Sequence, residues 1–337
     1  MNVSIIIPCR NEAKYIAACL DSILACGQPL DAMEIVVADG CSDDGTPDIV
    51  KRYADKYPFI RLLRNEGQTV PFALNLALRH TSASIIVRMD AHATMDAGYI
   101  QCGLDVLATH PEVGNVGGVF VNSFENEQAR SIASAMGHRF GVGNASFRLA
   151  DKDGYVDTVP YGIFRREVFE KVGMYDLQLT RNQDDELNFR IEQGGYKIYL
   201  DRKIRVHYTV RGSFKKLWRQ YYQYGYFKVL VNRKHQTVTS VRQLIPMIFV
   251  AGLLLGAIVS LFSVYLFYAY LSIIFVYLSI NTVVSLWLAS GFASFFYTLR
   301  AFLTLHFSYG TGYWQGILDF LLLRREDADV KNEVPSL

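Results

Sequence analysis

At 337 residues with a formal net charge of +2, the chain can hold one large domain or two smaller ones, and it lacks the strong basic excess that nucleic-acid binding demands. Its charge is uneven. Of 32 acidic residues only Asp319, Glu326, Asp327, Asp329 and Glu333 lie beyond residue 205, and no residue from 244 to 299 is charged. That run is long enough for two bilayer crossings at about 20 residues each.

The first strand is predicted at Val3–Ile7 and is followed by a helix at Ala13–Cys26. A strand at Glu34–Ala38, a helix at Thr46–Lys56, a strand at Ile60–Leu63, a helix at Val70–Thr81 and a strand at Ser84–Met89 complete the pattern. Short apolar runs between amphipathic helices predict a mostly parallel sheet covered on both faces. The strands end in polar or glycine-bearing stretches: Pro8-Cys-Arg10-Asn-Glu12, Asp39 to Gly45, Arg64-Asn65-Glu-Gly67, and Asp90-Ala-His92. Four such loops on one sheet edge form a nucleotide-sized crevice. A helix at Gly98–Thr109, a strand near Asn115–Val121 and a less regular stretch follow. Helices at Arg166–Val172 and Asp184–Gln193 and a strand at Lys197–Leu200 come next.

Residues 213–230 mix aromatic and basic side chains, as suits either a helix lying on a membrane surface or a packed amphipathic helix. Leu244–Phe267 and Tyr268–Ser290 read as a helical hairpin across the bilayer. Arg233, Lys234, Arg242 and Arg300 flank it and mark the cytoplasmic side. Ala301–Leu323 is expected to be interfacial or re-entrant. Met1 leads directly into a strand with no basic stretch or cleavage site, so no signal peptide is expected. Cys9, Cys19, Cys26, Cys41 and Cys102 match no zinc spacing and are read as reduced structural thiols.

The apolar strand ending at Asp90 aims that carboxylate at the crevice. On extended backbone His92, two residues on, points the same way, so the two could share a cation or a diphosphate. His92 is otherwise a structural hydrogen-bonding residue. Asp39 is read as a base or ribose contact, whereas Asp43 and Asp44 are read as helix caps. Arg10 could face a phosphate, and Glu12 could contact a base or ribose or cap the next helix. Gly67, beside Asn65, allows close backbone approach to a ligand. Asn75 is either a satisfied buried amide or a ligand contact. Asp184, Asp185 and Glu186 open a helix, as charge decoration at its positive end or as a cluster with one carboxylate tuned toward general-base work.

Pro8-x-Arg-Asn-Glu, the Asp39–Gly45 loop, Asp90-Ala-His92 and Gln183-Asp184-Asp185-Glu186 occur in the order and spacing of the family 2 inverting glycosyltransferases of the GT-A fold, which this chain resembles over roughly residues 1–230. Within that family, Phe140-Gly-Val-Gly-Asn144 and Phe164-Arg-Arg-Glu167 are similar to bacterial succinoglycan-type exopolysaccharide glucosyltransferases. The resemblance implies an α/β catalytic domain at 1–210, with a nucleotide-binding half at 1–95 and an acceptor half at 96–210. Composition predicts interfacial helices at 211–242, a hairpin plus third membrane segment at 243–325, and a cytoplasmic tail at 326–337; the resemblance agrees there in kind only. It further implies a nucleotide-sugar donor, Mn²⁺ or Mg²⁺, and an acceptor linked to polyprenyl diphosphate at the inner membrane. Asp184 then becomes the catalytic base, Asp90 contacts ribose or the donor sugar, and Asp90, His92 and His207 stand at the metal or diphosphate. Pro8, Arg10, Glu12, Asp39, Asn65, Gly67, Gln183, Asp185 and Glu186 contact substrate, and Arg211, Arg219 and Gln220 meet phosphate or lipid headgroups. His138, Arg139, Asn144 and Arg148 are acceptor-side candidates or ordinary loop residues. Two other readings use the same residues: an enzyme loading sugar directly onto polyprenyl phosphate, and a non-catalytic membrane-tethered nucleotide sensor.

Overall fold

The computed structural model describes residues 3–150, 152–210, 212–239 and 241–325. Two compact units account for them, one formed by residues up to 122 with 146–209, the other by 123–145 with residues from 210 on. Residues 123–145, expected within the acceptor half of the catalytic region, therefore cluster with the C-terminal helices instead.

In the first unit, strands β1 (Val3–Cys9), β2 (Met33–Asp39), β3 (Ile60–Arg64) and β4 (Ile85–Arg88) alternate with helices α1 (Ile16–Leu24), α2 (Thr46–Lys56) and α3 (Val70–Arg79). These four strands pair in parallel, with β1 between β2 and β4 and β3 outside β2. Successive side chains of β1 serve opposite faces: Ile5 and Ile7 pack with Ile16, Leu20 and Val50, whereas Ile6 packs with Leu74 and Ala77 of α3. That double burial explains why the sequence shows continuous apolar runs rather than alternation.

The second half changes direction. Strand β5 (Ala93–Met95), helix α4 (Tyr99–Thr109) and strand β6 (Val113–Phe124) lead to helices α5 (Glu127–Met136), α6 (Arg139–Val142) and α7 (Ser146–Leu149). Strands β7 (Gly154–Tyr155) and β8 (Ile163–Arg165), helices α8 (Arg166–Val172) and α9 (Gln183–Gln193) and strand β9 (Lys197–Val210) follow. The sheet order is β3-β2-β1-β4-β8-β6-β9-β5, with β7 beside β9. β8 runs antiparallel to both β4 and β6, and β5 antiparallel to β9. The sheet is thus parallel in its nucleotide half, and beyond β4 the strands β8, β7 and β5 bring in antiparallel pairings. Strands β5, β7 and β8 are three residues or fewer, too short to leave a periodic signal in the sequence.

The second unit is helical, with α10 (Phe214–His235), α11 (Ile245–Val259), α12 (Val264–Leu288) and α13 (Phe292–Gly316), the last continuing as a π-helical turn, Ile317–Leu322. Helix α10 is not a surface helix along its length: Gly225 to Val231 is buried. Glycines let it approach α13 closely, since a Cβ on Gly312 would stand 2.1 Å from the Tyr222 carbonyl oxygen, and one on Gly225 2.1 Å from that of Tyr309. The packed alternative holds there. The segment expected to be interfacial or re-entrant is the C-terminal part of unbroken α13, whose Ala301, Phe302, Leu305 and Ser308 are buried. Two helices are long and apolar enough to cross a membrane, Val241–Phe262 and Val264–Leu288, with the turn near Ser263 rather than at residues 267–268. They expose Leu255, Phe262, Tyr265, Phe275 and Trp287, large apolar side chains whose exposure water disfavours.

Candidate active site

The carboxyl ends of β1 to β4 lie on one edge, and three of the four loops there form a hydrogen-bonded lattice. Asn11 donates its backbone N–H to Ser42 Oγ at 2.8 Å and accepts from Asp43 N–H at 3.1 Å. Asp44 accepts from Ala13 N–H at 2.9 Å and from Thr46 N–H at 3.0 Å, closing the first turn of α2 as expected of a capping acid. Buried Asp39 accepts from Ser42 through both carboxylate oxygens, 3.0 Å from its N–H and 2.5 Å from its hydroxyl. It shapes the loop, and each oxygen keeps a second lone pair for a base or ribose hydroxyl.

Several expected contacts turn out to hold the scaffold. Asn65 is buried, its N–H bonded to the Asp39 carbonyl at 2.7 Å and its amide to the Thr69 carbonyl at 3.1 Å. Gly67 is required by a neighbour, because a Cβ there would lie 2.4 Å from the Phe72 ring. Pro8 is buried in β1 opposite Ala38. Arg10 is exposed, with Nη1 3.4 Å from the Gln68 carbonyl oxygen. Asn75 is the satisfied amide, bonded at 2.7 and 2.9 Å to the main chain of Tyr175.

The Asp90–His92 stretch differs from its expected geometry. Strand β4 ends at Arg88, and Ala93 N–H bonds back to the Asp90 carbonyl at 3.0 Å. A turn therefore separates the two side chains, and the alternation expected of extended backbone does not apply. His92 Nδ1 meets Glu12 Oε1 at 3.0 Å; a carboxylate acceptor puts the proton on Nδ1 and leaves metal ligation to Nε2. His207 lies within β9, opposite Thr94 rather than after a strand, and pairs with Asp96 at 2.6 Å.

Among the described residues no three His, Cys, Asp or Glu groups converge on a common metal position. The expected set of Asp90, His92 and His207 is therefore not assembled. Asp90 and His92 offer donor types that a divalent ion accepts, a carboxylate oxygen and an imidazole nitrogen.

Asp90 and Asp184 are joined by a residue the sequence reading left without a role. Arg88, 3% exposed, donates through Nη2 to Asp90 Oδ1 at 3.0 Å, and its Nη1 pairs with Asp184 Oδ1. Its guanidinium also lies over the Tyr161 ring, 5.3 Å from the centroid. Burial works against the charge of Arg88, but Asp184 and Asp90 hold it firmly protonated. An arginine inside Ile85-Ile-Val-Arg-Met was the available signal, since buried charges are paired.

Asp184 is the second residue of α9, with a side chain 24% exposed. Asn182, in the left-handed region at φ 61°, turns the chain into the helix. Burial raises the Asp184 pKa above the ordinary carboxylate range; Arg88 opposes that shift and the charge of Asp90 adds to it. Gln183 is buried, and Asp185 is half-buried beside it. Glu186 faces elsewhere: it is 3% exposed and grips Arg190 at 2.7 and 2.8 Å. Arg190 in turn donates to the carbonyls of Val172 at 2.5 Å and Met174 at 2.9 Å, so Glu186 ties α9 to the end of α8.

In the second unit, Arg219 is half-buried on α10, His138 caps α6 through Phe140 N–H at 3.1 Å, and the Asn144 carbonyl accepts from Arg242 at 2.8 Å. Arg148, in the first unit, lies over the rings of Phe120 and Phe147. Arg211 lies outside the described residues.

A parallel nucleotide half, an acceptor half with antiparallel strands and paired acids at their junction define a glycosyltransferase of the GT-A fold. Residues 4–173 match the profile described as Glycosyl transferase family 2, and the chain belongs to that family. It is 28% identical over 323 residues to the succinoglycan biosynthesis protein ExoA of Rhizobium meliloti, covering 94% of this chain and 95% of that one. It is 29% identical over 239 residues to a dolichyl N-acetyl-alpha-D-glucosaminyl phosphate 3-beta-D-2,3-diacetamido-2,3-dideoxy-beta-D-glucuronosyltransferase of Methanococcus voltae, covering 69% of this chain and 74% of that one. In fold it resembles the mannosyltransferase PcManGT of Pyrobaculum calidifontis in complex with GDP-Man and Mn²⁺, with a TM-score of 0.60 at 22% identity over 89% and 85% of the two chains. TarS of S. aureus in complex with UDP-GlcNAc gives a TM-score of 0.51 at 17% identity over 66% of each chain, less than two thirds of either.

Proposed function

We propose that this glycosyltransferase is anchored in the inner membrane and faces the cytoplasm, moving a hexose from a UDP-sugar to a saccharide carried on polyprenyl diphosphate during exopolysaccharide or cell-surface glycan synthesis. The observation that carries the reading is Asp184, a carboxylate at a helix start whose burial raises its pKa beside the donor-side acid Asp90. A base of that kind accepts a proton from an acceptor hydroxyl more readily than an ordinary aspartate. The acceptor oxygen bonds to the anomeric carbon as the bond from that carbon to the diphosphate breaks. The proton passes to Asp184, and the bonding electron pair leaves with the nucleoside diphosphate, so the configuration inverts in one displacement.

A divalent ion, when bound, would neutralise the departing diphosphate. Asp90 and His92 would hold it, and their mixed oxygen and nitrogen donors suit Mn²⁺ better than Mg²⁺. Support for a lipid-linked acceptor comes from the two apolar helices in the same chain and from the polysaccharide-synthesis role in the name of the Rhizobium relative.

Membranes carrying the protein, incubated with labelled UDP-glucose, UDP-galactose, UDP-N-acetylglucosamine or GDP-mannose, test the reading against polyprenyl phosphate and polyprenyl-diphosphate saccharide. Transfer only to the phosphate would replace the proposed acceptor. Absence of transfer and of donor hydrolysis with every donor would favour a sensor. Asp184→Asn is expected to lower transfer by about 10²–10⁴-fold while retaining UDP binding. Residual turnover above that range would move the base to Asp185.

A further inference from the structure

Arg88 occupies a position in β4 where a strand covered on both faces buries hydrocarbon. Burying an ion costs several kcal/mol unless partners offset it, and a valine or isoleucine there would satisfy the sheet alone. Arg88 nevertheless stands at 3% exposure. Among the described residues neither Nε nor Nη1 makes a hydrogen bond, so the charge is sustained by the Nη2 hydrogen bond to Asp90 and by the ion pair of Nη1 with Asp184.

We infer that Arg88 is the positioning residue of the active site, a single buried guanidinium that fixes the Asp184 carboxylate and locks it in register with Asp90. This rests on the reading of Asp184 as the base. Asp90 follows the end of β4, and Asp184 opens α9, which shares no hydrogen-bonded ladder with β4. The planar fork of Arg88 joins them by taking Oδ1 of each. On the base reading, Oδ2 of Asp184 is then left for the acceptor hydroxyl and Oδ2 of Asp90 for the donor. Without the guanidinium the two carboxylates repel, and Asp184 loses its fixed direction. The Tyr161 ring closes one face of the guanidinium, so the side chain has one place to lie.

Full-length protein in detergent provides the test, with labelled UDP-hexoses as donors, a polyprenyl-diphosphate saccharide as acceptor and UDP binding followed by calorimetry. Arg88→Met is expected to lower kcat by about 10²-fold, the cost of misplacing a catalytic group by about an ångström, with UDP affinity changed by less than about threefold. Arg88→Lys should restore part of the kcat, since one ammonium can hold one carboxylate but not fork between two. The double variant Arg88→Met, Asp184→Asn should be no slower than Asp184→Asn alone, as residues acting as a unit are non-additive. Losses that add, or Arg88→Met with wild-type kcat, would overturn the proposal. Parallel losses in kcat and UDP affinity would also overturn it, by assigning Arg88 to donor binding. An active Asp184→Asn would instead overturn the base assignment, which separates the two failures. Should Arg88→Met not fold, Arg88→Lys decides alone: a reduced kcat at unchanged UDP affinity supports the proposal, and an unchanged kcat defeats it.

Discussion

Position 92 carries an imidazole where an oxygen ligand is the commoner partner for a hard cation. In the structure that imidazole is held by Glu12 at 3.0 Å and flanked edge-on by Tyr208 at 5.8 Å. His92→Asp would set a carboxylate beside Glu12, and the two like charges would be relieved by a divalent ion. The variant is therefore expected to retain transfer, to depend more steeply on added metal, and to shift its preference from Mn²⁺ toward Mg²⁺. Titrating chelated enzyme with each ion, using hexose transfer as the readout, checks this. An unchanged preference would make His92 a structural partner of Glu12 and leave Asp90 as the protein's sole contribution to the ion. Strand alternation would pair Asp90 with His92, but the turn closed by Ala93 breaks the alternation. The pairing of His207 with Asp96 was equally invisible, because it depends on the antiparallel register of β5 against β9.

At the scale of elements, α9 shows how one helix divides adjacent acids between chemistry and architecture. Asp184 meets Arg88, whereas Glu186, two residues on, points about 200° around the helix and clamps Arg190. Glu186→Ala would leave Arg190 without the buried carboxylate that offsets its charge. The expected cost is about 3 kcal/mol of stability with transfer by the folded enzyme within about threefold of wild type. Thermal unfolding and kcat measured on one preparation check it; a dead but fully stable variant would return Glu186 to the substrate site. The sequence placed both acids in one motif, since a motif records spacing along the chain and not the direction of side chains. It was more informative for β1 to β4, where short unbroken apolar runs between amphipathic helices left few alternatives to a parallel sheet. The same logic failed at β7 and β8, whose pairing partners are distant in sequence. Chain continuity likewise places residues 123–145 in the catalytic region, and only contacts reveal that they cluster with the helices.

For the molecule as a whole, the open question is which solvent surrounds α11 and α12. Leu255 and Phe275 are 61% and 71% exposed near the middles of the two helices, so neither holds the fold together. In water, changing both to arginine would be nearly neutral or would improve solubility. In a bilayer each arginine at mid-helix costs about 2.5–3.5 kcal/mol on the insertion scale, enough for the pair to defeat insertion of an otherwise favourable hairpin. The double variant Leu255→Arg, Phe275→Arg is therefore expected to leave the membrane fraction on alkaline carbonate washing, while wild-type protein stays. Its catalytic unit should still bind UDP, because β1 to β4 and their loops form a unit with its own core. Loss of lipid-acceptor transfer with retained UDP binding would tie membrane insertion to acceptor access. Unchanged fractionation would mean that the apolar faces of α11 and α12 are covered by protein, and the acceptor would then have to be sought in water.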